Sequence, residues 1–198
     1  FVAGALAWAA RSNRRARARG AKPEAAASVL DRAELCTLQG AWQAAADLAA
    51  PLLAGTAASG IEPEVIARAH LVLAEVLAAS DRREEAADHV RRAGIARGQM
   101  RAGAARDRLV VRERFVQAGL GRTDAAAESE WPSADEVLAE ARGDTNLEPA
   151  QAIRLARLAL WRAEAEIREG SWPRARAHLE QAVQLGERVP VAARPGQV

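Results

Sequence analysis

Side chains able to do acid–base, nucleophilic or metal chemistry are few in this chain: three histidines, one cysteine and no tyrosine. His89 and His178 hold the same position in two similar but distant segments, each just ahead of an apolar residue. They read as equivalents in separate units, not as two ligands of one metal. His70 falls on the apolar side of a helical pattern and reads as a core residue. Cys36 sits where a helix packs, and a lone thiol there behaves as a small hydrophobe. No phosphate-cradling loop, glycine-rich dinucleotide turn or paired cysteine spacing is written anywhere. Arg142, Gly143 and Asp144 read as a helix stop followed by turn residues, not as an adhesion motif. The chain is expected to be no enzyme, with no catalytic, metal or cofactor residues.

Charge carries more information. Arg68, Arg108 and Arg157 recur at steps of 40 and 49 residues, and Glu34, Glu75 and Glu164 hold the position seven residues further on in their units. Residues 91–114 hold eight arginines against Asp107 and Glu113, whereas residues 124–148 hold eight acids against Arg142. These neighbouring segments either pair within the fold, where each exposed pair adds little, or present separate docking patches.

The net charge of +2 is uneven: residues 1–22 carry five arginines and Lys22 with no acid, leaving 22 basic against 26 acidic groups beyond them. Ten uncharged residues, FVAGALAWAA, run straight into this basic stretch. That is too short to span a bilayer alone, and a secretory signal would place its charges first. Two readings stay open. One is the end of a membrane anchor with its arginines on the cytoplasmic side, giving residues 1–19 a membrane contact and the chain a cytoplasmic location. The other is an apolar and basic arm. Nucleic-acid binding is the weaker expectation, because no aromatics interleave with the arginines as stacking platforms.

The elements that must position these residues are helical. Hydrophobic residues make up 49% and aromatics 4%, alanine abounds, and strand-forming side chains are scarce, so the expected class is all-α. Lys22 is the single lysine among 28 basic residues, a usage that fits a GC-rich bacterial genome. The segment LCTLQGAWQAAADLA at 35–49 returns as EIREGSWPRARAHLE at 166–180, with a fainter copy, LAASDRREEAADHV, at 77–90. Taking the alanine of the second helix as ruler gives Ala45, Ala86, a weak Ala126 and Ala175. Pro23, Pro63 and Pro149 each sit where a first helical turn tolerates a missing N–H. Asp81 with Glu84, and Ser133 with Glu136, offer capping boxes, and Gly143 offers a stop. Trp131-Pro132 interrupts the second helix of the third unit. Trp42 and Trp172 are expected to pack between the two helices of their own units, at about 3 kcal/mol each on truncation.

This pattern resembles the tetratricopeptide repeat family, carried by Ala74, Ala86, Val90 and Ala93 in the second unit and by Gly170, Trp172, Ala175, Leu179 and Ala182 in the last. The first unit offers Ala33, Gly40, Trp42, Ala45 and Leu52, with Ala49 where a larger residue is expected, and the third matches poorly. The 40- to 41-residue spacing exceeds the family's usual period and resembles the longer repeats of bacterial signal-responsive transcription regulators. The resemblance implies helix pairs stacked as a right-handed superhelix over residues 23–188, between the arm at 1–22 and a tail at 189–198. It also implies a groove on the first helices, with Arg68, Arg108, Arg157, Glu34, Glu75 and Glu164 facing a charged, acidic protein or peptide. Such a chain is expected to act as a non-enzymatic adaptor, or as the ligand-sensing or partner-sensing segment of a regulator, with no cofactor.

Overall fold

The computed structural model describes residues 26–54, 62–120, 131–142, 144 and 147–189. They form eight helices: α1 (Ala26–Gln39), α2 (Trp42–Ala54), α3 (Pro63–Ala79), α4 (Arg83–Gly98), α5 (Ala104–Leu120), α6 (Ala134–Arg142), α7 (Pro149–Arg168) and α8 (Trp172–Glu187). No strand occurs among the described residues, and helices adjacent in sequence pack together in a repeat-like arrangement. The chain divides into two compact units, one reaching Glu113 and one starting at Arg114, with the division falling inside α5. Pro63 and Pro149 open α3 and α7 as their positions predict. The N-terminal arm, Pro23, Ala126, Gly143 and residues 190–198 lie outside the described residues.

The repeat is most visible in the backbone of three turns. At the end of α1, the N–H of Gly40 donates to Thr37 O at 3.1 Å and that of Ala41 to Cys36 O at 2.9 Å. At the end of α3, Asp81 donates to Ala78 O at 3.1 Å and Arg82 to Leu77 O at 2.9 Å. At the end of α7, Gly170 donates to Ile167 O at 3.1 Å and Ser171 to Glu166 O at 2.8 Å. Each pair is the double bond of a Schellman cap, which satisfies two carbonyls of the last turn and needs a left-handed residue at its corner. Gly40 (φ 77°), Asp81 (φ 57°) and Gly170 (φ 76°) supply it. The chain thus repeats one hairpin three times, twice with the residue that bears this conformation without steric cost.

The expected box between Asp81 and Glu84 does not form, because Asp81 is consumed as this corner. Arg82 becomes the N-cap of α4, without a side-chain cap, and bonds Glu85 while Arg83 bonds Asp81. The second box does form: Ser133 Oγ accepts from the N–H of Glu136 at 3.2 Å, and Glu136 Oε2 accepts from the N–H of Ser133 at 2.7 Å. Trp131-Pro132 therefore stands ahead of α6, not inside a helix.

In the first unit, Ala33, Ala45, Ala49 and Val72 close one cluster of α1, α2 and α3, and Leu30, Val65 and Ala69 close another with Leu52 and Leu53 against it. Ala45, Ala86 and Ala175 are all shut off from solvent, because a larger side chain there would push paired helices apart. In the second unit, Leu138 of α6, Leu155 and Leu158 of α7 and Leu185 of α8 share a core that includes Ala118 at the end of α5. Gly119 belongs there for a steric reason: a Cβ on it would lie 2.9 Å from Cζ3 of Trp161.

Two expected packing residues are not buried. Trp172 is 65% exposed and Leu179 41%. Their counterparts Trp42 and Ala49 are half-buried and buried, and in the first unit α3 lies against α2. Among the described residues α7 and α6 pack against the other side of α8, and no helix covers the face that bears Trp172 and Leu179.

Candidate binding surface

The charged residues of the first helices meet as a ladder within the first unit. Arg68 of α3 reaches Asp31 at 2.5 Å and Glu34 at 2.9 Å, both on α1. Glu34 also takes Arg112 of α5 at 2.6 Å, and the Nε of Arg112 donates to Glu75 of α3 at 2.6 Å. Three first helices are bound to one another by these contacts. The Arg112 side chain is 8% exposed and that of Glu75 is 9% exposed. Burial by itself lowers the pKa of Arg112, but the carboxylates of Glu75 and Glu34 more than offset it and hold the guanidinium charged. The same balance, with Glu34 and Asp31 as partners, raises the pKa of Arg68. One atom is left over: Nη2 of Arg112 is buried without a hydrogen bond.

The sequence pattern thus brings Glu34, Arg68 and Glu75 together, but as partners of one another. Glu75, expected in an open groove, is buried under Arg112, and a ligand would have to break that pair to reach it. Arg108 stands exposed one turn ahead of Arg112, so the arginine in register by residue count is not the one in the ladder. Arg112 was legible by another signal. It lies three residues after Leu109 and four before Val116, both buried, so it occupies an apolar stripe where a charge needs a partner. Arg157 is half-buried and Glu164 exposed, both in the second unit. Arg97 and Glu113 add a further pair at 2.8 Å beside Gly94. Of the two oppositely charged segments, Arg114 and Glu140 meet at 3.0 Å on the surface.

The second unit has its own polar cluster. Arg162 of α7 grips Asp135 of α6 through two bonds of 3.1 and 3.2 Å, and its Nη2 lies 3.2 Å from Glu166. Glu166 is only 1% exposed. Nε2 of His178 on α8 lies 3.5 Å from Asp135 and 3.7 Å from Glu166, too far for a strong hydrogen bond. Oε2 of Glu166 and Nδ1 of His178 are buried without partners. The cluster joins α6 to α7 beside His178 of α8, with both oxygens of Asp135 and Oε1 of Glu166 taken by Arg162.

His70 is buried as expected, but it has a partner that the sequence did not announce. Its Nδ1 lies 2.9 Å from Nδ1 of His89 across the α3–α4 hairpin. One nitrogen must donate and the other accept, so at least one ring is neutral. Burial, then His89, then Arg92 lower the pKa of His70 to about 4. Burial and Arg92 lower that of His89 as well, against a smaller opposing pull from Asp88 and Glu85. Cys36 is half-buried against the α1–α2–α3 core, as its position suggests. Among the described residues no group of three or more histidine, cysteine or acidic side chains is arranged to hold a metal, and no helix is long and apolar enough to cross a membrane.

Comparison with protein-family models, with curated proteins and with solved structures finds no match to this chain.

Proposed function

We propose that this chain is a helical-repeat adaptor of tetratricopeptide type, with right-handed stacking, that binds another protein and performs no chemistry of its own. The observation that carries this reading is where its exposed apolar side chains lie. Of the eight large hydrophobics exposed among the described residues, Leu160, Ile167, Trp172, Leu179 and Val183 belong to the last helix pair, α7 and α8. Such a concentration on a surface marks a site that another molecule covers. The tetratricopeptide type is supported by the three matching Schellman turns and by the buried alanines that follow them. Since the ladder occupies Arg68, Glu34 and Glu75, an acidic partner would be read by Arg108 and not by the full arginine row. A tether to the cytoplasmic face of a membrane through residues 1–19 is part of the same proposal.

The test is recovery of the full chain, tagged, from its source cells at low ionic strength. A protein partner in fixed ratio is the expected result. A chain that elutes alone by size-exclusion chromatography, at every concentration tried, overturns the adaptor reading.

A further inference from the structure

His70 and His89 occupy a place that the other hairpins fill differently. Counted by the spacing of Glu34, Glu75 and Glu164, His70 corresponds to Val29 and Ala159, and His89 to Leu48 and His178. The first hairpin thus has two apolar side chains where the second has two imidazoles, so the repeat itself does not require nitrogen there. Burying polar rings in place of apolar ones costs free energy unless their nitrogens are used. The ring centres lie 5.0 Å apart with planes tilted by 56°, and the two Nδ1 atoms lie 2.9 Å apart, so the nitrogens stand on the facing edges of unstacked rings. With both protons on Nε2, two lone pairs would face a common point. His70 of α3 is 8% exposed and His89 of α4 is half-buried, so the pair is closed on the α3 side and reachable from the α4 side.

We propose that His70 and His89 together bind one divalent transition-metal cation that favours imidazole, Zn²⁺ or Cu²⁺, through their Nδ1 atoms, pinning α3 to α4. Zinc–imidazole bonds are about 2.0–2.1 Å, and two of them at a tetrahedral angle hold their nitrogens about 3.4 Å apart. From 2.9 Å the rings need to part by about 0.5 Å, which side-chain rotation supplies with the helices in place. The ring that donates in the metal-free pair gives up its Nδ1 proton to water and takes one up at Nε2, so no net proton is released and both lone pairs go to the metal. Burial and Arg92 favour the neutral rings, the form that ligates. Asp88 and Glu85 of α4 favour a cation beside His89 and Arg92 opposes it; Asp88 also bonds Arg91, and Glu85 bonds Arg82. Among the described residues no third side chain completes a ligand set, so water fills the remaining positions, unlike a closed structural zinc site with four protein ligands. His178, the repeat equivalent of His89, has Ala159 at the place of His70, and the carboxylates near its Nε2 are bonded to Arg162.

This inference is independent of the adaptor reading and is tested on the purified full chain alone. Calorimetric titration with Zn²⁺ near neutral pH should show one equivalent bound, and the melting temperature should rise with it. H70V/H89L, which installs the residues of the first hairpin, should fold and bind at least tenfold more weakly, whereas H178A should bind as wild type does. Long-range proton–nitrogen NMR of the wild-type imidazoles needs no variant and decides alone if H70V/H89L does not fold: Zn²⁺ should move Nδ1 of two of the three rings and leave the third unchanged. Wild-type protein with no saturable binding up to about 1 mM Zn²⁺ overturns the proposal. So does undiminished binding by folded H70V/H89L, loss of binding in H178A, or a spectrum in which fewer than two rings respond at Nδ1.

Discussion

Replacing Arg112 with alanine removes the centre of the ladder, and its cost follows from what the guanidinium neutralises. Within the described ion pairs, Asp31, Glu34 and Glu75 are three carboxylates against the two cations Arg68 and Arg112, so this set of five is one negative charge in excess. Without Arg112 the excess becomes two, and Glu75 loses a 2.6 Å bond at a site where its side chain is only 9% exposed. Breaking a buried pair by deleting one partner costs about 3–5 kcal/mol, because the other charge stays out of water. Glu34 keeps Arg68, which places R112A at the lower end, about 3 kcal/mol. The double variant R112M/E75L should behave in the opposite way. It removes both buried charges and restores the volume with apolar atoms, and such exchanges are commonly neutral or stabilising. Its stability should lie within about 1 kcal/mol of wild type, and about 2 kcal/mol or more above R112A. Urea unfolding followed at 222 nm, with the slope compared among the variants, measures both. A loss under about 1 kcal/mol for R112A would mean that the guanidinium is solvated. A double variant weaker than either single one would mean that the pair contributes more than its burial costs.

Three further outcomes follow from particular contacts. G119A should lose about 1–3 kcal/mol, because the added methyl would sit 2.9 Å from the Trp161 ring, and G119A/W161L should recover part of it; urea unfolding of both checks this. D81G should gain about 0.5–1 kcal/mol by placing at the α3–α4 corner the residue that Gly40 and Gly170 supply elsewhere, whereas G40A should lose about 1–2 kcal/mol; melting curves distinguish the signs. The histidine pair should make stability depend on pH. With the folded pKa of His70 lowered to about 4 from 6.5, the contribution is full above pH 6.5, falls as the unfolded chain takes up protons the folded one refuses, and levels off near pH 4. The whole shift corresponds to about 3 kcal/mol, and partial exposure to solvent reduces the expected loss to about 1–2 kcal/mol. H70Q/H89Q should flatten the stability profile between pH 6.5 and 4.5 relative to wild type, and an unchanged slope would refute the pairing.

The sequence by itself determined the helical class, the starts of α3 and α7 and the helix-pair turns at Gly40 and Gly170. Pro63 and Pro149 act through the lost N–H of a single residue, Gly40 and Gly170 through the φ of a single residue, and the buried alanines recur because each repeat solves the same local packing problem. Those effects reach only a turn or two along the chain, so spacing records them. Asp81 shows the limit of such reading: its side chain offers a cap, but its place in the repeat makes it the corner, and the fold of the hairpin decides. The charged set was half legible for the same reason. Residue counting found Glu34, Arg68 and Glu75, yet chose Arg108 over Arg112, one turn away, because which turn of α5 faces α1 and α3 depends on how three helices pack. Tertiary structure also decided what each copy of the repeat does. Trp42 and Trp172 are written alike, but α3 lies over the α2 face that bears Trp42 and no described helix lies over the corresponding face of α8, so one ring is half-buried and the other is open to solvent. Burial belongs to the neighbour as much as to the residue, and no local pattern contains the neighbour.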